Sequence, residues 1–80
     1  MKVVYLLQSI PFPHRRYIGI TEDLEKRLRA HNAGQSTHTA RFRPWKVVVA
    51  IQFEDDARAD EFERYLKSGS GNAFAHRRLW

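Results

Sequence analysis

Apolar positions along the chain switch between two spacings, and the switches mark the elements. Val3-Val4-Tyr5-Leu6-Leu7 is a β-branched and aromatic run that predicts a strand. Ser9 to Pro13 carries two prolines, which fix φ and remove backbone donors, so it reads as a loop. Arg16, Ile18 and Ile20 then alternate with Tyr17 and Gly19, giving a second short strand that forms a hairpin with the first. From there the spacing is helical, with Leu24, Leu28 and the less apolar His31 on one stripe. Thr21 suits the N-cap of this helix, Glu22 and Asp23 its first turn, and Gly34 its stop after Asn32. Glu22–Lys26 and Glu25–Arg29 are i,i+4 pairs for its solvated face. Pro44 precedes a long strand, Trp45 to Phe53. Asp55 or Asp56 can cap a second helix to about Lys67, with Ala59, Phe62 and Leu66 as its stripe. Ser68-Gly69-Ser70-Gly71 breaks it, and Asn72 to Arg78 predicts a last short helix. The order β-β-α-β-α-α, a hairpin plus a third strand with helices packed on it, is an α+β domain.

Composition narrows the setting. Eighty residues make one domain, and 42% apolar content with ten aromatics supports a modest core. The absence of cysteine rules out disulfides and thiolate metal sites and is compatible with a reducing compartment. The first apolar run is too short for a membrane span or a signal h-region, so a soluble, cytoplasmic protein with no membrane partner is expected. Fourteen Lys and Arg against nine Asp and Glu give a formal charge of +5, which favours phosphate polymers or is an ordinary basic surface. Arg outnumbers Lys among those cations, and its fork matches phosphate oxygens.

Two charged residues fall where the helices should bury something apolar: Arg27 as the i+3 member of the first stripe and Glu63 in the i+4 slot of the second. An unpaired buried charge is costly, so each needs a partner, a metal or a wet cleft. One reading pairs Arg27 with Asp23 and Glu63 with Lys67, each at i,i+4 with the long stems snorkelling. The other brings the two together over the sheet, the carboxylate for a hard divalent cation and the guanidinium for a phosphate. Tyr5 and Tyr17 lie on adjacent strands. Either they are packing residues with wet hydroxyls, or a neighbouring cation makes a phenol acidic enough to orient or deprotonate water. None of the four histidines has metal-ligand spacing, which argues against a histidine zinc site; His31 shares the face of Arg27.

Taken together, these motifs resemble the GIY-YIG nuclease superfamily, and more narrowly its small stand-alone bacterial members. Val3-Val4-Tyr5 in VVYLLQS is similar to the first motif, and Tyr17-Ile18-Gly19 in RYIGIT to the second. LEKRLRAHNAG resembles the family's first helix, with Arg27 on its signature arginine and His31 on its frequent histidine. ADEFERYLKSGSG resembles the second helix, with Glu63 on the metal-binding glutamate and Lys67 at its usual distance. Valines replace the Gly and Ile of the first motif, and Asn72 stands closer to Glu63 than the asparagine many members carry.

The resemblance implies a three-stranded antiparallel sheet flanked by helices with the active site on one sheet face. It further implies that Glu63 holds one Mg²⁺ or Mn²⁺ at the scissile phosphate, that Arg27 neutralises developing charge, that Tyr5 or Tyr17 handles the attacking water, and that His31 assists. The basic loop from Thr37 to Arg43, with Thr39, Arg41 and Arg43, is expected to touch the nucleic-acid backbone, as are Lys67, Arg77 and Arg78. The expected substrate is DNA, with RNA as the open alternative, and a protein partner is expected to supply specificity. Competing readings are a nucleic-acid-binding module of the same fold without useful turnover, and a protein-interaction domain with a basic face.

Overall fold

Lys2–Ser9 forms β1, which runs up the middle of the sheet and is buried on both faces. The computed structural model describes residues 1–80 and adds β2 (Arg16–Thr21), α1 (Leu24–Asn32), β3 (Trp45–Phe53), α2 (Asp56–Leu66) and α3 (Gly69–Arg78). The strand order is β2-β1-β3, antiparallel throughout, so the domain is an α+β fold with a three-stranded sheet between helices.

Strand periodicity sends alternate β1 side chains to opposite faces. Val4 and Leu6 join Ala59, Leu66 and Ala75 in an apolar layer under α2 and α3. Tyr5 and Leu7 join Trp45 on the other face, where Leu24 and Leu28 of α1 close over them. In β3 that simple alternation fails. Leu7 pairs with Val47 but Leu6 with Val49, so Val48 is a bulge residue. The extra residue flips the parity of the strand: Trp45 and Val47 face α1, whereas Val49 and Phe53 face α2.

Several helix boundaries differ from the sequence reading. Asp23, not Thr21, caps α1, its carboxylate accepting from Lys26 N at 3.0 Å. Thr21 is the last residue of β2, and Glu22 and Asp23 lie ahead of the first turn. A threonine that ends a strand is already committed to ladder geometry, which leaves the cap to Asp23, whose short carboxylate reaches the backbone N–H three residues on. Gly34 does stop the helix, at φ 80°, and the Gln35–Ala30 and Gly34–His31 backbone bonds complete a Schellman turn. Glu25–Arg29 forms at 2.8 Å, whereas Glu22 stays outside the helix. Asp55 caps α2 as one of the two residues considered. The Ser-Gly repeat is not a break preceding α3 but its first turn: Ser68 caps it, and a Cβ at Gly71 would stand 1.7 Å from Tyr65 O. Glycine there lets α3 abut the end of α2. No helix is long and apolar enough to cross a membrane.

Candidate active site

Gly19 opposes Tyr5 in the β1–β2 ladder, and both residues face α1. The Tyr5 ring lies across the glycine: a Cβ at position 19 would stand 2.4 Å from Tyr5 Oη and 2.9 Å from the Tyr17 ring. The missing side chain therefore lets the Tyr5 phenol cross the edge strand and meet Tyr17, at 6.3 Å between ring centroids. The only trace of this packing role in the sequence is a glycine in the middle of a strand.

A hydrogen-bonded chain runs inward from this point. Arg27 Nε donates to Tyr5 Oη at 3.4 Å. Tyr5 Oη lies 3.0 Å from His31 Nε2, and His31 Nδ1 lies 2.8 Å from Thr39 Oγ1. A guanidinium has no acceptor, so Tyr5 accepts from Arg27 and directs its own proton to His31 Nε2. That places the imidazole proton on Nδ1, donated to Thr39. Burial, and secondarily the charge of Arg27, hold His31 below its ordinary value and keep the ring neutral. Burial also pushes the Tyr5 phenol up, the Arg27 hydrogen bond works against it, and the Tyr17 and Glu63 charges push the same way as burial. The hydrogen bond to Tyr5 raises Arg27 above its ordinary value and fixes it as a cation.

The loop between α1 and β3 holds the inner end of this chain in place. Asn32 Oδ1 accepts from Trp45 N at 2.6 Å and its amide donates to Trp45 O at 3.2 Å, tying the end of α1 to the start of β3. Trp45 Nε1 donates to Thr39 O at 2.8 Å. Thr39 is fully buried as a result. It was expected on a substrate-holding surface, and that expectation is corrected: its hydroxyl is spent on His31. Asn32 and Trp45 gave no chemical signal in the sequence, because their work is positioning.

Arg27 corrects a second expectation. It is exposed and sits beside, not within, the stripe of half-buried Leu24 and Leu28 and buried His31. Asp23 is occupied as the cap, so Arg27 turns back over the sheet and donates to Tyr5, with the Tyr17 phenol near enough to act on it. Glu63 approaches from α2. Its side chain is only 14% exposed and its Oε2 lies 2.5 Å from Lys67 Nζ, the intrahelical pair that the spacing allowed. The carboxylate is near enough for its charge to act on Tyr5. Tyr5, Tyr17, Arg27 and Glu63 thus converge from four elements.

No group of three or more His, Cys, Asp or Glu side chains gathers anywhere in the fold. The donor set at Glu63 is one carboxylate. It does not suit a closed protein cage, and it does suit a hard, hydrated ion that takes its remaining oxygens from water and phosphate. The half-exposed Lys67 ammonium is the cation that this carboxylate holds.

The remaining expected residues divide. Lys67 and Asn72 line one cavity with Tyr17. Arg77 and Arg78 line another, against Tyr65 and Phe74. Arg43 donates to Ala40 O at 2.9 Å and its guanidinium covers Gly34, so it braces the loop. Arg41 is exposed, its guanidinium 5.8 Å from the Phe42 ring centroid.

Comparison with known proteins follows the same lines. The GIY-YIG catalytic domain family matches residues 1–76. The chain belongs to the GIY-YIG family. The match includes every strand, both helices that carry site residues and most of α3. This GIY-YIG domain is 37% identical to the UPF0213 protein CPE1444 of Clostridium perfringens, over 90% of this chain and 76% of that protein. It is 38% identical to the structure-specific endonuclease subunit SLX1 of Meyerozyma guilliermondii over 90% of this chain, and spans 30% of that relative's length. With SLX1 of Scheffersomyces stipitis the identity is 45% over 75% of this chain, and the span is 20%.

Proposed function

We propose that this GIY-YIG domain is a divalent-metal-dependent endonuclease that hydrolyses phosphodiester bonds in DNA, selects branched or otherwise structured substrates, and serves repair or recombination. The observation that carries the reading is the Arg27–Tyr5–His31 chain, buried and fully partnered from Tyr5 inward, with the largely buried Glu63 carboxylate near enough for its charge to act on Tyr5. A structural core has no use for that combination. Mg²⁺ or Mn²⁺ bound at Glu63 would polarise the scissile phosphate and stabilise the leaving oxygen. Arg27, exposed and held rigid by a phenol, offers its remaining donors to the charge that develops on phosphorus.

The two phenols differ in access. Tyr5 is 1% exposed, whereas Tyr17 is half-buried and lines an open cavity. Tyr17 is therefore the phenol with access to an attacking water. Tyr5 aims Arg27, and His31 and Thr39 fix Tyr5. The preference for structured DNA rests on the similarity to the SLX1 structure-specific endonuclease subunits, and that these relatives are subunits supports a protein partner for this domain too.

Incubation with flapped, branched and plasmid DNA in Mg²⁺ or Mn²⁺ is expected to give nicking that EDTA stops. Glu63→Ala is expected to abolish cutting and leave DNA binding near normal. The Glu63–Lys67 pair favours the competing reading, a binding module in which lysine permanently fills the cation position. Binding with no metal-dependent cutting on any of these substrates would establish that reading instead.

A further inference from the structure

Along the outer edge of β2, a cavity borders Tyr17 and Lys67 and extends to α3 and the last residue of the chain. Its principal cation is Arg16. This arginine is neither solvated at random nor paired with a carboxylate: its guanidinium stacks 4.8 Å from the Trp80 ring centroid, and Nη1 lies 3.4 Å from His76 Nδ1. Asn72 contributes an amide to the same wall. No Asp or Glu lines it, unlike the cavity that Arg27 borders, which includes Glu22 and Asp23.

We infer that this cavity is a binding subsite for a second phosphodiester, the one neighbouring the scissile phosphate on the cut strand, with Arg16 as its clamp. The inference rests on the nuclease reading and extends it to residues which that reading leaves idle. A phosphate site needs donors without a competing carboxylate, and Arg16 and Asn72 supply a charge-assisted and a neutral donor of that kind, while Lys67, paired with Glu63, adds positive charge to the same wall. It also needs preorganisation. A free arginine surrenders rotamer entropy on binding, whereas stacking on an indole fixes the plane of the fork beforehand. Trp80 is itself anchored, partly buried against the apolar layer under α2 and α3. Adjacency to the reaction centre follows from shared walls: Tyr17 lines the cavity, and Lys67, which also lines it, touches Glu63.

The parity of β2 explains how one strand serves both positions. Tyr17 and Gly19 face α1 and build the catalytic side, while Arg16 turns to the opposite face and meets α3. The edge of the sheet thus holds a catalytic phenol and a backbone clamp one residue apart.

The test compares wild type, Arg16→Gln, Arg16→Lys and Trp80→Leu on a fluorescein-labelled flapped duplex. Binding is measured in EDTA across a salt series, cleavage in Mg²⁺, and folding by circular dichroism. Arg16→Gln is expected to weaken binding and raise KM about tenfold with kcat nearly unchanged. It should also flatten the dependence of log affinity on log salt by about 0.7–0.9, one phosphate contact. Arg16→Lys should recover the salt slope but not the full affinity, because the fork and its stacking are lost. Trp80→Leu, if folded, should weaken binding less than Arg16→Gln with no change in slope. An unchanged KM and salt slope in Arg16→Gln would overturn the clamp, and so would complete restoration by lysine, which would reduce Arg16 to a generic charge. If the wild type neither binds nor cuts, the nuclease reading itself has failed; a wild type that cuts while Arg16→Gln is silent removes the subsite alone.

Discussion

The two faces of the central strand are equally buried and chemically opposite. Val4 and Leu6 look into a layer of hydrocarbon completed by Ala59, Leu66 and Ala75. Tyr5, between them in sequence, looks into a hydrogen-bonded chain of imidazole, hydroxyl and guanidinium. The first face is stabilised by removal of apolar area from water, which is non-directional and tolerant of detail. The second repays burial only because each polar atom is partnered, and no buried side-chain nitrogen or oxygen is left without one. Stability and chemistry are thus separated across a single strand, and substitutions on the two faces should fail differently.

The largest effect on stability is expected from Leu6→Ala, which empties part of the apolar layer. A loss of about 2–5 kcal/mol in denaturant unfolding should accompany nearly normal cleavage per folded molecule. Cleavage that fell far more than the folded fraction would break the separation. Gly19→Ala comes next. Its Cβ would collide with Tyr5 Oη, so about 1–3 kcal/mol of overpacking strain and a drop in cleavage on the order of 100-fold are expected. Retained cleavage would mean that the Tyr5 ring need not lie over position 19. Thr39→Val leaves the His31 Nδ1 proton buried without an acceptor, at a cost on the order of 1 kcal/mol. Thr39→Ser, which keeps the hydroxyl, should restore both stability and the wild-type pH profile of cleavage; failure to do so would return Thr39 to a packing role.

The smallest effect is a pH dependence confined to the polar face. His31 is surrounded by Tyr5 on β1, Tyr17 on β2 and Arg27 on its own helix, with Glu63 acting on Tyr5 from α2. Its value in the folded state lies below the ordinary 6.5, so the unfolded chain takes up its proton first as pH falls. Stability from this group is therefore complete above about 6.5 and declines below it. Thermal melts should show Tm falling over that range in wild type, and less so in His31→Gln. An equal decline in both would assign the effect to other groups.

Much of this was legible beforehand. The hairpin, the Trp45–Phe53 strand and the Asp55 cap followed from periodicity and turn chemistry, which are local. Arg27 and Glu63 stood out because each broke a helical stripe. The errors also have local causes. Thr21 and Asp23 are both good caps, and only the length of β2 decides between them. The Ser-Gly repeat carries breaker residues, yet its glycine serves close helix packing. Thr39 was misplaced because a polar residue in a basic loop looks exposed until the loop is folded under Trp45.

The order of residues by itself determined which segments are strands and helices and which side chains could do acid–base or phosphate chemistry, since these depend on neighbours a few positions apart. Only the tertiary structure decided that the β3 bulge flips its two halves to opposite faces, that Tyr5 passes over Gly19, that His31 and Thr39 lock behind it, and that Arg16 is stacked on Trp80. Those outcomes depend on which distant atoms compete for the same space and the same protons, and that competition exists only after the chain has packed.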